Sequence, residues 1–410
     1  MERTTLNELE IQQLRAETKG TTEVVHFNNA GASLPPDVVV DTVINYLNEE
    51  AVFGGYEMEY KYRAEIENTY NLIARLINAN PDEIAIAENA SMAWGILFNG
   101  IDFKKGDVVI TSEMEYVSNL LGFLNAKKLY GVEFKVIPDD ERGNFSLSAL
   151  EDAISPQTKL IAITHIASTA GGMMPVVEIG KIARKHGILY LVDACQSAGQ
   201  LPVDVQEIGC DMLSVTGRKY LRAPRGTGFL YIRKEIQDKI RPLFIDGHSV
   251  AWISEDDFKL LDNARRFELY EKNRALTLGL GKAVEYALNI GPDRIWQRIQ
   301  YLAILLRRQL TKIDGITVHD FGDEQCGIVT FTVAGAENSS IKVQLAAERI
   351  NVSVGLAKST LFYMNKNNLS SVLRASVHYY NTEAEINTLC NALSLIINRD
   401  SVYTLEVAKK

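Results

Sequence analysis

The chain has 410 residues, of which 46% are hydrophobic and 23% are charged, and its formal net charge at neutral pH is −9. This composition is typical of a soluble globular protein, and the length predicts two or three domains. The acidic balance and the dispersed Lys and Arg residues exclude nucleic acid and anionic membranes as main partners.

The four cysteines stand far apart, at positions 195, 210, 326 and 390, with no CxxC pair and no spacing typical of metal ligands. This pattern predicts reduced thiols in a cytoplasmic protein and neither a disulfide framework nor a metal site. The first residues lack the apolar core of a signal peptide, and no apolar run has the length of a membrane span.

The N-terminal half begins with helical patterns. Leu6 to Arg15 predicts an amphipathic helix, and segment 37–78 has helical periodicity that is interrupted at Gly54-Gly55. Residues 83–87 alternate as a strand does, and Asn89-Ala90-Ser91 then begins another helix. From about residue 107, strand and helix patterns alternate. Strands are predicted at 107–111, 133–137, 159–165 and 188–193, and helices at 117–129, 148–154 and 176–186. This rhythm predicts a mostly parallel sheet with helices on both faces.

Two further strands are predicted at 212–215 and 226–232. The composition changes after about residue 255, and the pattern there predicts a second, α+β domain. Its helices are expected from 273 to beyond 287 and at 294–313, 341–349 and 383–397, and its strands at 327–333 and 372–378.

An aspartate and a lysine follow the predicted strands of the first domain. Asp193 ends the strand at 188–193, and Lys219 lies just beyond the strand at 212–215. The carboxyl ends of strands are the edge where ligands bind in open α/β sheets. A lysine that forms a Schiff base, with an aspartate beside a pyridinium nitrogen, is what pyridoxal phosphate (PLP) chemistry requires.

Five motifs carry a resemblance to a known family. They are His26 to Gly31, Glu115-Tyr116, Val192 to Gln196, Thr216 to Lys219, and Arg374 to Ser376 with Tyr380 to Thr382. Their residues and order resemble the class V aminotransferase family of fold-type I PLP enzymes, and the similarity runs from about His26 to the end of the chain. That family includes cysteine desulfurases, C–S lyases, isopenicillin N epimerase-like proteins and transaminases.

The resemblance implies an architecture. We expect the α/β fold of PLP-dependent transferases of fold type I, with a large PLP-binding domain at residues 21–255 that contains a mostly parallel seven-stranded sheet. Residues 256–410 are expected to form a smaller α+β C-terminal domain, and residues 1–20 a helical segment that packs on it. The family also implies an antiparallel strand at 226–232 and a homodimer with active sites at the interface.

The resemblance also implies site residues. Lys219 is expected to bind PLP covalently and then move the Cα proton, Asp193 to contact the pyridine nitrogen, and Tyr116 to stack on the ring; these three are the predicted catalytic residues. The predicted cofactor-binding residues are Ala90, Ser91, Met92, Tyr116, Ser168, Asp193, Gln196, Thr216, Arg218 and Lys219. The substrate carboxylate is expected at Arg374, beside Asn29, Ala30 and Gly31.

Departures from the family pattern bear on the reaction. Tyr116 stands where desulfurases usually have a His, and Ser168 where many relatives have an Asn. The mobile loop that carries the nucleophilic cysteine of desulfurases corresponds to residues 351–360, which contain no Cys. We therefore predict a C–S β-lyase that acts on a cysteine derivative. A class V aminotransferase, an amino-acid epimerase and a cysteine desulfurase-like enzyme are the alternatives, because all begin with the same removal of the Cα proton.

Overall fold

The computed structural model describes residues 5–407, with side chains up to residue 398. The parts of the predicted units that fall on residues 1–4 and 408–410 lie outside the described residues. The helices are α1 (Glu8–Ala16), α2 (Asp37–Phe53), α3 (Gly55–Lys61), α4 (Arg63–Leu76), α5 (Ala90–Asn99), α6 (Val117–Tyr130), α7 (Leu147–Ala153), α8 (Val176–His186), α9 (Val205–Ile208), α10 (Arg274–Ile290), α11 (Pro292–Leu310), α12 (Asn338–Ala347), α13 (Leu361–Lys366) and α14 (Glu383–Val407).

The strands belong to one large sheet, one smaller sheet and two short pairs. They are β1 (Val25–His26), β2 (Ile84–Ala87), β3 (Val108–Ser112), β4 (Glu133–Ile137), β5 (Thr158–Thr164), β6 (Leu189–Asp193), β7 (Met212–Thr216), β8 (Gly228–Ile232), β9 (Val250–Ser254), β10 (Asp257–Leu260), β11 (Ile316–Val318), β12 (Ile328–Val333), β13 (Ile350–Asn351), β14 (Ser353–Leu356) and β15 (Ser371–Ser376).

The large sheet has seven strands in the order β2-β8-β7-β6-β5-β3-β4. All pairs from β7 to β4 are parallel, whereas β8 is antiparallel to both β7 and β2. The expected fold class is therefore confirmed, including the mostly parallel sheet and the direction of the strand at 226–232. Because β8 runs against both of its neighbours, the carboxyl end of β2 lies at the same edge of the sheet as those of β7, β6, β5 and β3.

Burial on both faces of this sheet explains its apolar strands. Val109 and Leu160 face one hydrophobic core, and the next residues, Ile110 and Ile161, face the other. Side chains alternate between the two faces of a strand, so a strand that is covered on both sides must be apolar at successive positions. Helices therefore cover both faces, as the alternation of strand and helix patterns predicts.

The smaller sheet has four antiparallel strands in the order β11-β12-β15-β14. Its edge strand β14 corrects one expectation, because residues 351–360 do not form a loop throughout. Residues 353–356 pair with β15, and a 3-10 helix follows at Ala357–Thr360. The hairpin of β9 and β10 is a second element that the sequence patterns missed, since most of its residues are exposed.

Helix α1 lies against the C-terminal part of the chain. It begins with a capping box between Asn7 and Glu10, and Arg15 forms a 2.9 Å ion pair with Glu385 near the start of α14. The division into a helical segment at residues 1–20 that packs on the small domain, a large domain at 21–255 and a small domain at 256–410 stays a prediction. None of the helices described here is both long and apolar enough to cross a membrane.

Candidate active site

The carboxyl ends of the central strands form one wall of a cavity of about 320 Å³. Thr164 ends β5 directly beside Asp193 at the end of β6, and Asp193 pairs in turn with Ser214 of β7. Thr164, Asp193, Thr216 and Lys219 all line this cavity. Its volume is within the range of small-molecule sites, at the edge of the sheet where α/β folds bind ligands.

Lys219 lies in the segment that follows β7. Burial lowers the pKa of its amine to about 8, and the positive charges of Arg218 and Arg374 act in the same direction. The charge of Asp193 opposes this effect. A lysine with a lowered pKa has a substantial neutral fraction near neutral pH, and the neutral amine is the nucleophile and the base.

Asp193 is buried, and both of its carboxylate oxygens accept hydrogen bonds. Oδ1 accepts one from the backbone N–H of Cys195 at 2.9 Å, and Oδ2 accepts one from Nδ2 of Asn119 at 3.0 Å. Its carboxylate therefore has a fixed orientation at the cavity wall.

The first turn of α5 forms another wall. The side chain of Asn89 caps this helix by accepting a hydrogen bond from the N–H of Met92 at 3.0 Å. The N–H groups of Ala90 and Ser91 belong to the first turn, where no intrahelical acceptor exists, and both residues line the cavity. Met92 does not line it, and its amide is already bound to Asn89. The helix start is thus an anion site to which Ala90 and Ser91 contribute.

Charged and hydroxyl side chains surround this helix start. Thr216, Arg218 and Arg225 line the same cavity, and Nη1 of Arg218 lies 3.4 Å from the Thr216 hydroxyl oxygen. Glu88 is also a lining residue and brings a negative charge to the rim. Two guanidinium groups against one rim carboxylate favour an anionic group such as a phosphate.

Three further predicted cofactor residues meet in the cavity. Tyr116, Ser168 and Gln196 line it, and Tyr116 is the residue immediately before α6. The Ser168 hydroxyl and Oε1 of Gln196 are buried and have no hydrogen-bond partner among the residues that the structure describes. Buried polar atoms are normally hydrogen-bonded, so two such atoms in one cavity indicate a polar ligand there. Together with the lysine, the carboxylate and the anion site, they fit PLP.

Arg374 lies behind the cavity on β15. Its guanidinium donates to the carbonyl of Ser168 at 2.6 Å and to the hydroxyl of Ser353 at 2.9 Å, and Nη2 lies 3.4 Å from Oδ1 of Asn28. None of the described Asp and Glu residues forms an ion pair with it. Burial lowers its pKa to about 10. A half-buried guanidinium without a carboxylate partner among the described residues is suited to a carboxylate of the substrate.

Asn29, Ala30 and Gly31 do not line the cavity. The Asn29 side chain donates to the carbonyl of Ser376 at 2.7 Å, and the carbonyl of Ala30 accepts a hydrogen bond from Nε2 of Gln196 at 3.1 Å. Through the second contact, this segment orients Gln196. Their predicted contact with the substrate stays a prediction.

Several lining residues were missed by sequence reasoning: Glu88, Asn119, Thr164, Ile166 and Gly226. Thr164 lies at the penultimate position of the strand predicted at 159–165, and its place near the carboxyl end of that strand could have indicated a site residue. Asn119 lies in the first turn of α6 and belongs to no motif that distinguishes it from a surface residue. Arg225, whose function the sequence left open, also lines the cavity.

Comparisons with known proteins identify the family of this chain. The aminotransferase class-V family model matches residues 24–389. A probable cysteine desulfurase of Methanothermobacter thermautotrophicus is 34% identical over 91% of this chain and 94% of its own length. A probable cysteine desulfurase of Pyrococcus abyssi is 29% identical over 94% of this chain and 97% of its own length.

Solved structures share the fold. A cysteine desulfurase of Thermococcus onnurineus is similar with a TM-score of 0.89 and 29% identity, covering 94% of this chain and 98% of its own. The cystine C–S lyase C-DES, solved with its product cysteine persulfide, has a TM-score of 0.84 at 23% identity, over 92% of this chain and 99% of its own. At that identity the second likeness concerns the fold alone.

We expect the rate at which PLP attaches to the apoprotein to rise with pH through a midpoint near 8. The amine of Lys219 reacts only when neutral, and its pKa is lowered to about 8, so attachment is fast above that pH and slow below it. Stopped-flow absorbance of the attached cofactor measures this rate.

Arg218→Gln serves as the matched variant. It removes a positive charge that lowers the pKa of Lys219, so the midpoint should move upward. Lys219→Ala should show no attachment at any pH while keeping its far-UV circular dichroism. Attachment in that variant would show that another lysine is responsible.

Arg374→Lys should raise the KM for the amino-acid substrate roughly 100-fold with unchanged PLP content, because lysine keeps the charge but loses the planar fork. Ser353→Ala is the control, since it removes only the hydrogen bond to Nε of Arg374. Steady-state kinetics and absorbance measure both quantities. Loss of PLP from Arg374→Lys, with an unchanged KM, would contradict the assignment.

Proposed function

This chain belongs to the aminotransferase class-V family of PLP-dependent enzymes, and we propose that it cleaves the bond between Cβ and sulfur in L-cysteine or an S-substituted cysteine. The relatives support a sulfur amino acid as the substrate, because those reported above are named cysteine desulfurases. They favour the desulfurase-like alternative over the lyase. The desulfurase and lyase reactions differ in whether the sulfur is transferred to an enzyme cysteine or released, and this depends on the thiols of this chain.

Each part of the cavity has a task in this proposal. Lys219 would hold PLP covalently, and Asp193 would face the ring nitrogen. Tyr116 would stack on the ring. The phosphate would bind at the start of α5, together with Thr216 and Arg218. When bound, PLP supplies the electron-withdrawing ring that makes the Cα proton of an amino acid acidic. Ser168 and Gln196 complete the proposed set, with Gln196 held by Ala30. Met92, which the sequence also suggested, is left out because its amide binds Asn89 and it does not line the cavity.

The chain's residues would then act on the substrate in sequence. Arg374 would bind the carboxylate, with Asn29, Ala30 and Gly31 behind it. Lys219, as a neutral amine, would take the proton from Cα, and the sulfur would leave from Cβ with the electron pair of the broken bond. Tyr116 lines the cavity, where its ring would stack on that of PLP.

The observation that carries the fate of the sulfur is the state of the four thiols. Cys195, Cys210, Cys326 and Cys390 are all buried. Cys195 lines the cavity, but burial, together with the charge of Asp193, raises its pKa well above the ordinary value. Burial also raises the pKa of Cys326 to about 12 and that of Cys390 to about 11, and it raises that of Cys210 further. The thiolate is the form that accepts sulfur, so none of these thiols is suited to carry a persulfide.

The proposed net reaction is therefore a β-elimination. An S-substituted cysteine and one water molecule yield pyruvate, ammonium and a thiol that keeps the substituent, and with free cysteine the sulfur product is hydrogen sulfide. In a desulfurase, the amino acid is instead left as alanine and the sulfur is held on an enzyme cysteine. Transamination and epimerisation stay as alternatives with other products, a keto acid with the intact sulfur side chain and a D-amino acid.

Incubation with L-cysteine should give pyruvate and sulfide in a ratio near one, with Cys195→Ser within about threefold of the unmodified protein, because a protonated thiol takes no part in the chemistry. Product analysis and mass spectrometry after persulfide labelling measure this. Cys326→Ser is the control, since that thiol lies outside the cavity. Alanine with a stoichiometric persulfide on one cysteine would overturn the lyase and establish the desulfurase alternative.

We also propose a homodimer with the active sites near the interface. Helices α2 and α3 expose a row of large apolar side chains, which is uncommon on a monomer surface. These residues are Ile44, Leu47, Val52, Phe53, Tyr56 and Tyr60. A cavity lined by Leu47, Tyr56 and residues 270–274 also includes Glu88, which borders the active-site cavity. A second copy on this surface would thus lie beside the anion site.

Light scattering should give twice the chain mass, and Phe53→Glu should weaken the association at least tenfold, since it places a charge in an apolar interface. Leu129→Glu, an exposed residue at the end of α6, is the control and should leave the mass unchanged. A monomeric mass at micromolar concentration would exclude this proposal.

A further inference from the structure

Glu115 is a buried carboxylate beside the active site, and it lies outside the cavity. Four donors surround it. Oε2 accepts from the hydroxyl of Thr111 at 2.7 Å, and Oε1 accepts from the hydroxyl of Thr164 at 2.5 Å, the amide of Asn119 at 2.8 Å and the backbone N–H of Tyr116 at 2.8 Å. Because both oxygens of this buried carboxylate accept hydrogen bonds, the Glu115 side chain is held in one orientation, and it in turn holds the residues that donate to it.

Asn119 connects this carboxylate to Asp193. Its Nδ2 lies 2.8 Å from Oε1 of Glu115 and 3.0 Å from Oδ2 of Asp193. A side-chain amide has two N–H groups, so one carboxylate accepts from each. The amide is thereby held from both sides, and it presents a fixed donor to Asp193. Without Glu115, we expect that amide to be free to rotate and its contact with Oδ2 of Asp193 to weaken.

The surroundings of Glu115 also shift the pKa of its own carboxyl group. Burial raises its pKa, and the negative charge of Asp193 raises it further, whereas the hydrogen bonds from Thr164, Thr111 and Asn119 lower it. The hydrogen-bond geometry at Oε1 is the same for a carboxylate and for a side-chain amide oxygen, so a Gln at this position retains the bridge.

We propose that Glu115 is a positioning residue for the contact between Asp193 and the ring nitrogen of PLP, and that it acts through Asn119. This inference rests on the proposed function, since it requires PLP in the cavity with Asp193 at the ring nitrogen. Glu115 does not line the cavity, so it acts on the ligand through the lining residues that it holds. Its bond to Asn119 affects the ligand atom that Asp193 faces, whereas its bonds to Tyr116 and Thr164 support the cavity wall and would affect PLP and its analogues alike.

An analogue of PLP that has carbon in place of the ring nitrogen separates this effect from general support. We would measure the dissociation constants of PLP and of 1-deaza-PLP on apoproteins of Glu115→Ala and Asn119→Ala. Both variants should bind PLP at least tenfold more weakly. Binding of the deaza analogue should change less than twofold in Asn119→Ala, and less than that of PLP in Glu115→Ala, because the analogue has no nitrogen for Asp193 to contact.

Two matched variants complete the experiment. Glu115→Gln retains an acceptor for Asn119 and should return PLP binding to within about threefold of the unmodified protein. Thr111→Val removes only the donor to Oε2, away from the bridge, and should affect both ligands equally and weakly. If Glu115→Ala does not fold, Asn119→Ala carries the same comparison.

The possible failures are distinguishable through Asp193→Asn. If Asp193→Asn changes the dissociation constants of PLP and of the deaza analogue by the same factor, Asp193 does not face the ring nitrogen. The proposed site and this inference then both fail. If Asp193→Asn weakens the binding of PLP alone, but Glu115→Ala and Asn119→Ala weaken the binding of both ligands equally, the proposed site stands and Glu115 has only a structural effect.

Discussion

The shared edge of the parallel strands is the constraint on which the site depends. In register, Thr164 at the end of β5 lies beside Asp193 at the end of β6, and Asp193 pairs with Ser214 of β7. Parallel strands that are joined by crossovers must end at the same edge, so residues far apart in sequence reach one cavity. The start of α5 joins them because β8 reverses direction between β2 and β7.

A buried cation holds the Lys219 segment against the rest of the chain. Arg222 is 1% exposed, and its guanidinium donates to the carbonyl of Leu34 at 2.7 Å and to the hydroxyls of Thr18 at 2.6 Å and Tyr379 at 2.5 Å. It also lies 4.5 Å from the ring centre of Tyr380. Carbonyl, hydroxyl and aromatic groups thus offset the free-energy cost of burying this charge. Through them Arg222, three residues after Lys219, is connected to the segments that contain Thr18, Leu34 and Tyr379.

The electrostatics of the cavity distinguish its two kinds of nucleophile. Burial lowers the pKa of the Lys219 amine and raises that of the Cys195 thiol, because in both cases it disfavours the charged form. For an amine the neutral form is the reactive one, and for a thiol it is the inert one. The same burial therefore favours the reactive form of Lys219 and the unreactive form of Cys195, and this contrast is the physical basis of the proposed β-elimination.

The sequence by itself determined the mostly parallel sheet and the strand-end positions of Asp193 and Lys219, because apolar periodicity and strand-to-turn transitions are local properties. The antiparallel direction of β8 was implied by the family resemblance and not by the local pattern. It did not predict strand β14, whose pairing with β15 depends on residues some twenty positions away, nor the exposed hairpin of β9 and β10. Only the tertiary structure decided that Asn119 meets Asp193, that Ala30 holds Gln196 and that Arg374 contacts Ser168. Each of these contacts joins residues separated by 74 to 206 positions, and such contacts form only when packed sheets and helices bring distant segments together.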